Sequence, residues 1–187
     1  MIDGVAGVGK TSLLDATRAA AAAAGLLTLR ARGAELERAF AFGVVRQLFD
    51  EVVRDGTAHP AALFTGAARF AAPVLGLELP GVSAIASDDP FAARHALYWL
   101  LANLSSERPL ALLVDDGHWA DTASLDVLVH VAHRLEGVPV ALFVASRTEE
   151  PRATLAMLRR QAAAHGDRKS TRLNSSHQSV SRMPSSA

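Results

Sequence analysis

A glycine-rich turn carrying a lysine and a hydroxyl restricts this chain more than any other segment: Gly4-Val5-Ala6-Gly7-Val8-Gly9-Lys10-Thr11. The spacing G-x-x-x-x-G-K-[ST] is that of a loop joining a strand to a helix around a bound anion. Its glycines allow backbone N–H groups over Gly4, Ala6, Gly7, Val8 and Gly9 to turn inward. Lys10 adds a charge that reaches β- and γ-phosphates, and the Thr11 hydroxyl is suited to Mg²⁺. Ser12 follows in the first turn of the helix, whose N-terminal dipole favours negative charge. The bland alternative is a flexible glycine turn ahead of a helix.

A second motif weighs against that alternative. Leu110-Ala111-Leu112-Leu113-Val114-Asp115-Asp116 is a continuous apolar run ending in two carboxylates. Such a run reads as a strand buried on both faces. Its acidic end lies at the edge where open α/β sheets bind ligands. In this Walker B form, Asp115 holds Mg²⁺ through water and Asp116 orients the attacking water. A buried strand with an ordinary acidic turn is the competing reading.

Between these motifs the chain alternates. Helical patterns cover Ser12 to Ala24, Phe40 to Val53, Phe91 to Leu104, Thr122 to Leu135 and Thr154 to Ala164. A weaker one covers Ala61 to Leu77, interrupted at Pro73. Strand patterns cover Leu26 to Ala31, the Walker B run and Val138 to Ala145. Leu79 to Asp89 reads as a loop, with Asp88-Asp89 a turn and helix cap before Pro90. Alternation of this kind predicts an α/β fold with a parallel sheet, the three-layer sandwich of a P-loop NTPase.

The 187 residues allow one domain, and 50% hydrophobic residues supply a core. Nineteen basic residues balance nineteen acidic ones, so no nucleic-acid surface is expected. With no cysteine, disulfides, thiolate zinc sites and thiol nucleophiles are excluded. No apolar run approaches the ~20 residues of a membrane span, and no signal peptide is expected. The expected setting is the cytoplasm. His130 and His133 have a helical spacing that can bind metal, but no third ligand is placed by sequence, and an ordinary half-exposed helix face is the favoured reading.

Both ends depart from this pattern. Only Met1, Ile2 and Asp3 precede the loop, where a central strand of about five or six residues is usual. The sheet is therefore expected to be incomplete, with its first strand shortened. After Gly166 the composition turns abruptly Ser/Arg-rich. Asp167-Arg168-Lys169-Ser170-Thr171-Arg172-Leu173-Asn174-Ser175-Ser176-His177 resembles a translated sequencing adapter. So does Ser181-Arg182-Met183-Pro184-Ser185-Ser186-Ala187, after a short barcode. The expected division is a partial ATPase domain over 1–166 and a disordered artefact over 167–187. A chain so shortened is expected to be poorly stable and inactive.

The Walker B strand continues as Asp116-Gly117-His118-Trp119-Ala120-Asp121. This is similar to the D-D-x-H-W-A-D signature of large ATP-binding LuxR-type bacterial regulators, signal-transducing ATPases with numerous domains akin to origin-recognition-type AAA ATPases. The loop from Ala6 to Leu14, the residues Gly33, Glu35 and Glu37, the run Phe42 to Phe49, and Phe143-Val144-Ala145-Ser146-Arg147 resemble further segments of that family. The resemblance covers roughly residues 1–150, and it implies that the fifth strand and the helical lid of that family are missing. It implies ATP or ADP with Mg²⁺ as ligands and a slow ATPase switch, with Asp116 in the catalytic role. Arg147 becomes a sensor of the γ-phosphate, against the plainer reading of a surface loop arginine. The partners it implies are ATP and the remaining domains of a parent regulator, with DNA bound only through a C-terminal domain that this chain lacks.

His118 and Trp119 either transmit nucleotide state or simply pack their loop. Asp121 reads as a cap for the helix at Thr122. Three functions stay open: the ATP-dependent switch domain, a small-molecule P-loop kinase, and an inactive fragment.

Overall fold

The computed structural model describes residues 1–54, 63–82, 89–148 and 152–164. Asp88, most of the expected 79–89 loop, the start of the weak 61–77 helix and the 167–187 tail lie outside them.

Among the described residues, four strands form one parallel sheet: β1 (Ile2–Gly4), β2 (Leu27–Arg32), β3 (Leu110–Asp115) and β4 (Val140–Arg147). Their order is β1-β4-β3-β2. The α/β architecture and parallel sheet are as expected, although β1 is an edge strand among the described residues rather than a central one.

Helix α1 (Lys10–Ala23) covers one face. Side chains alternate across a strand, so Ala111 and Leu113 of β3 meet Leu14 of α1 and Ala145 of β4 there. Leu110, Leu112 and Val114 point the other way, into the larger core. That core is built with α2 (Gly43–Arg54), α3 (Pro90–Glu107), α4 (Thr122–Ala132) and the helix over 153–164, α5. β3 is buried at all six positions, which is why its sequence does not alternate.

Several boundaries move for local reasons. Past Leu63 the weak helix does not continue as an α-helix: residues 66–71 and 73–75 form two short 3₁₀ turns. Pro73 lacks a donor, and Gly66 and Gly76 take positive φ values of 59° and 75°. α2 begins at Gly43 rather than Phe40, because Phe42 turns left-handed at φ 63°. α4 stops at Ala132, short of Leu135. β4 starts two residues late, after Pro139, and runs two residues further to Arg147, where Gly4 pairs with it in register. Arg147 therefore ends the strand itself instead of following it.

Candidate functional site

The carboxyl ends of β1, β3, β4 and β2 bring the charged residues together. Gly4 leaves β1, and residues 5–9 form the loop into α1. Gly9 is the N-cap of that helix at φ 94°, a left-handed conformation suited to glycine. α1 has no side-chain cap and no acidic residue in its first turn, so its first-turn N–H groups face the loop without a carboxylate of their own. Lys10 folds back over the loop, its Nζ donating to the carbonyl oxygens of Gly4 (2.9 Å) and Val5 (2.8 Å). Val5 and Val8 remain exposed.

Across the sheet, Thr11 Oγ1 donates to Asp115 Oδ2 at 2.9 Å, joining residues 104 positions apart. Asp115 is 1% exposed, and its Oδ1 accepts the Asp116 N–H at 2.9 Å. A hydroxyl and a carboxylate, both hard oxygen donors, thus stand together at the head of α1. This donor pair and the uncapped helix start fit a phosphate group with Mg²⁺, an ion held through few carboxylates plus the phosphates themselves. Among the described residues no three His, Cys, Asp or Glu side chains cluster closely enough to cage a metal alone.

Asp116 departs from the strand at φ 48°, ψ 43°, left-handed for a non-glycine residue. Its Oδ2 accepts from Arg32 Nε (3.0 Å) and Nη2 (2.8 Å), a guanidinium supplied by the end of β2. Hydrogen bonding to Asp116, then the charges of Asp116 and Asp115, hold the Arg32 pKa above its usual value. The Arg32 backbone N–H donates to Gln47 Oε1 of α2 (2.9 Å), which anchors the strand end. An open cleft of about 530 Å³ lies here, lined in part by Arg32, Gln47, Asp116, Trp119 and Arg147.

Asp121 is buried and serves two helices. It accepts the Ser124 N–H (2.8 Å) at the start of α4, the cap that its position suggested. It also accepts from the N–H groups of Phe42 (2.8 Å) and Val44 (3.3 Å) at the start of α2. Ser124 Oγ receives the next one, from Val45 (3.1 Å). His118 is fully buried and packs at 5.1 Å from the Trp119 ring, and Arg38 lies 5.9 Å over Trp119. Asp89 caps α3 through the Phe91 N–H, as expected for a residue before Pro90.

Of the residues named from the sequence, Lys10 and Thr11 stand at the head of α1, and Asp115, Asp116 and Arg147 at the carboxyl ends of β3 and β4. Sequence reasoning missed Arg32, whose only signal was a position at the end of a strand, and Arg152, which Nη1 and Nη2 tie to the turn after Asp116.

A parallel α/β sheet with a phosphate-type loop ahead of α1 and an acidic pair ending β3 defines a P-loop NTPase class of site. The family described as AAA ATPase domain matches residues 1–144, and the chain belongs to it. That membership indicates a nucleotide-binding ATPase domain. Comparison with curated proteins and with solved structures gives no match. Among the described residues, no helix is long and apolar enough to cross a membrane.

Proposed function

We propose that this chain is the ATP-binding switch domain of a bacterial signal-transducing regulator of the LuxR type. The observation that carries the nucleotide site is the Thr11–Asp115 hydrogen bond, which joins the two motifs at the head of α1. The regulator context is supported by the His118-Trp119-Ala120-Asp121 extension of β3. In this reading other domains of a larger polypeptide sense the signal and contact DNA.

When bound, ATP supplies the γ-phosphoryl group, and Mg²⁺ offsets its charge. The chain's residues do the remaining work. Backbone N–H groups from Gly4 through Ser12 surround the phosphates. Lys10 exchanges the carbonyls of Gly4 and Val5 for phosphate oxygens. Thr11 and Asp115 offer their oxygens to the metal. Asp116 orients the water, and Arg147 donates to the terminal phosphate from the end of β4. Turnover is slow and serves to reset the switch, a reading that sets aside the inactive fragment expected from the shortened ends.

Titration calorimetry with ATP·Mg²⁺ tests the site. Lys10→Ala should weaken binding by at least about a hundredfold, the loss of a charge-assisted contact worth about 3 kcal/mol. Equal affinity in the two proteins would reject the assignment.

A further inference from the structure

Helix α5 reaches two sides of the site. Arg152 is its N-cap residue, its carbonyl accepting the Ala156 N–H at 3.0 Å. The guanidinium donates from Nη1 to the backbone oxygens of His118 (3.3 Å) and Ala120, and from Nη2 to Thr122 Oγ1 (3.3 Å). These acceptors span the 3₁₀ turn Gly117–Trp119 and the start of α4, the segment that leaves Asp116.

The same turn is pressed into β4 and α5 at Gly117. A Cβ there would lie 2.7 Å from Val144 Cγ1, 3.3 Å from the Ala145 oxygen and 3.8 Å from Leu155 Cδ2. Leu155 is fully buried. Seven residues after Arg152, Arg159 donates to both carboxylate oxygens of Asp3, at 3.0 and 2.8 Å. Asp3 adjoins Gly4, the last residue of β1, from which the loop departs. Arg152, Leu155 and Arg159 follow the spacing i, i+3, i+7, so one face of α5 makes all three contacts.

Arg152 occupies an unfavourable place for a cation. It sits at the N-terminus of α4, where the helix dipole repels positive charge. Burial, and then the charge of Arg38, lower its pKa. An apolar side chain would cover the turn without these costs. What the guanidinium adds is a rigid planar fork that holds several acceptors in fixed relation. Asp116 needs such support, because a left-handed non-glycine residue persists only where its surroundings hold it. Arg32 holds the carboxylate from β2, and Gly33 packs against the backbone of Asp116, Trp119 and Ala120 on that side; the guanidinium of Arg152 holds the same turn from α5 through hydrogen bonds.

We propose that Arg152 is a positioning residue for Asp116: it pins the turn from His118 to Thr122 onto α5 and so fixes where the Asp116 carboxylate stands over a bound nucleotide. The proposal rests on the ATPase reading above.

The test uses the full chain in a Trp99→Phe background. The chain has two tryptophans, so Trp119, inside the pinned turn, becomes the sole reporter. Arg152→Gln and Arg152→Lys are compared for ATP·Mg²⁺ affinity, turnover, thermal unfolding and the change in Trp119 emission on nucleotide addition. Affinity should stay within about twofold while turnover falls about tenfold, the pattern of a misplaced group rather than lost binding. The nucleotide-dependent Trp119 signal should vanish in Arg152→Gln and return in part in Arg152→Lys. Wild-type turnover and Trp119 response in Arg152→Gln would overturn the proposal. So would affinity and turnover falling together with thermal stability, which marks a plain structural role. If Arg152→Gln does not fold, Thr122→Val removes only the Nη2 contact: a diminished Trp119 response supports the proposal and an unchanged one overturns it. Lys10→Ala separates the two readings. If it binds ATP as well as wild type, the ATPase reading fails and this proposal falls with it.

Discussion

Asp116 shows how far a single residue can be read before its neighbours are known. Its place at the end of an apolar strand marks it as a candidate catalytic carboxylate, but its partner lies 84 residues away. Arg32 binds Oδ2 through two donors, and the pair is partly exposed, with the arginine side chain 66% accessible. Such pairs contribute only about 0–1 kcal/mol to stability. Arg32→Ala should therefore leave the unfolding midpoint almost unchanged. It should lower ATP turnover about tenfold, with affinity retained, because the carboxylate loses the group that orients it. Steady-state turnover beside calorimetric affinity checks this, and unchanged turnover would remove Arg32 from the site. Lys10, Thr11 and Asp115 were legible as candidate site residues because each belongs to a contiguous motif with fixed spacing. Arg32 and Arg152 were not, because an arginine after a strand or before a helix has no local mark distinguishing it from a surface charge.

At the scale of elements, the hydrophobic patterns located the strands and long helices, while their ends were set by contacts and turn residues. β4 runs to Arg147 because β1 pairs with it there. α2 begins at Gly43 because Asp121, from the far side of β3, receives its first N–H groups. The expectation that Asp121 caps α4 was sound but covered half its work. Asp121→Ala should leave the N–H groups of Phe42, Val44 and Ser124 without their acceptor. A lost helix cap costs about 0.5–2 kcal/mol and a buried unpaired donor about 1–3 kcal/mol. Because the losses are not additive, about 2–4 kcal/mol is expected, read from urea unfolding. A cost under about 1 kcal/mol would show that the two helices do not depend on this shared cap.

Across the whole molecule, stability should carry a mark of the α3–α4 packing. His130 sits edge-on to Tyr98, with Arg134 near its Nδ1. Burial first, then the charges of Arg134, Arg94, His95 and His133, lower its pKa to about 4 from an ordinary 6.5. The folded protein therefore resists the proton that the unfolded chain accepts. This contribution to stability is complete above pH 6.5 and is lost as pH falls from 6.5 towards 4. The urea midpoint should drop between pH 7 and pH 5, and His130→Phe should reduce that drop; an equal drop in both proteins would remove His130 as its source. The linear chain was enough to specify a parallel α/β sheet and the loop motif, because apolar periodicity and the Gly/Lys/Thr spacing act within a few residues of each other. Only folding decided which charges meet. The Thr11–Asp115 contact, the Arg32 clamp on Asp116, the double cap by Asp121 and the reach of α5 each join distant segments, and sheet order and register set those distances.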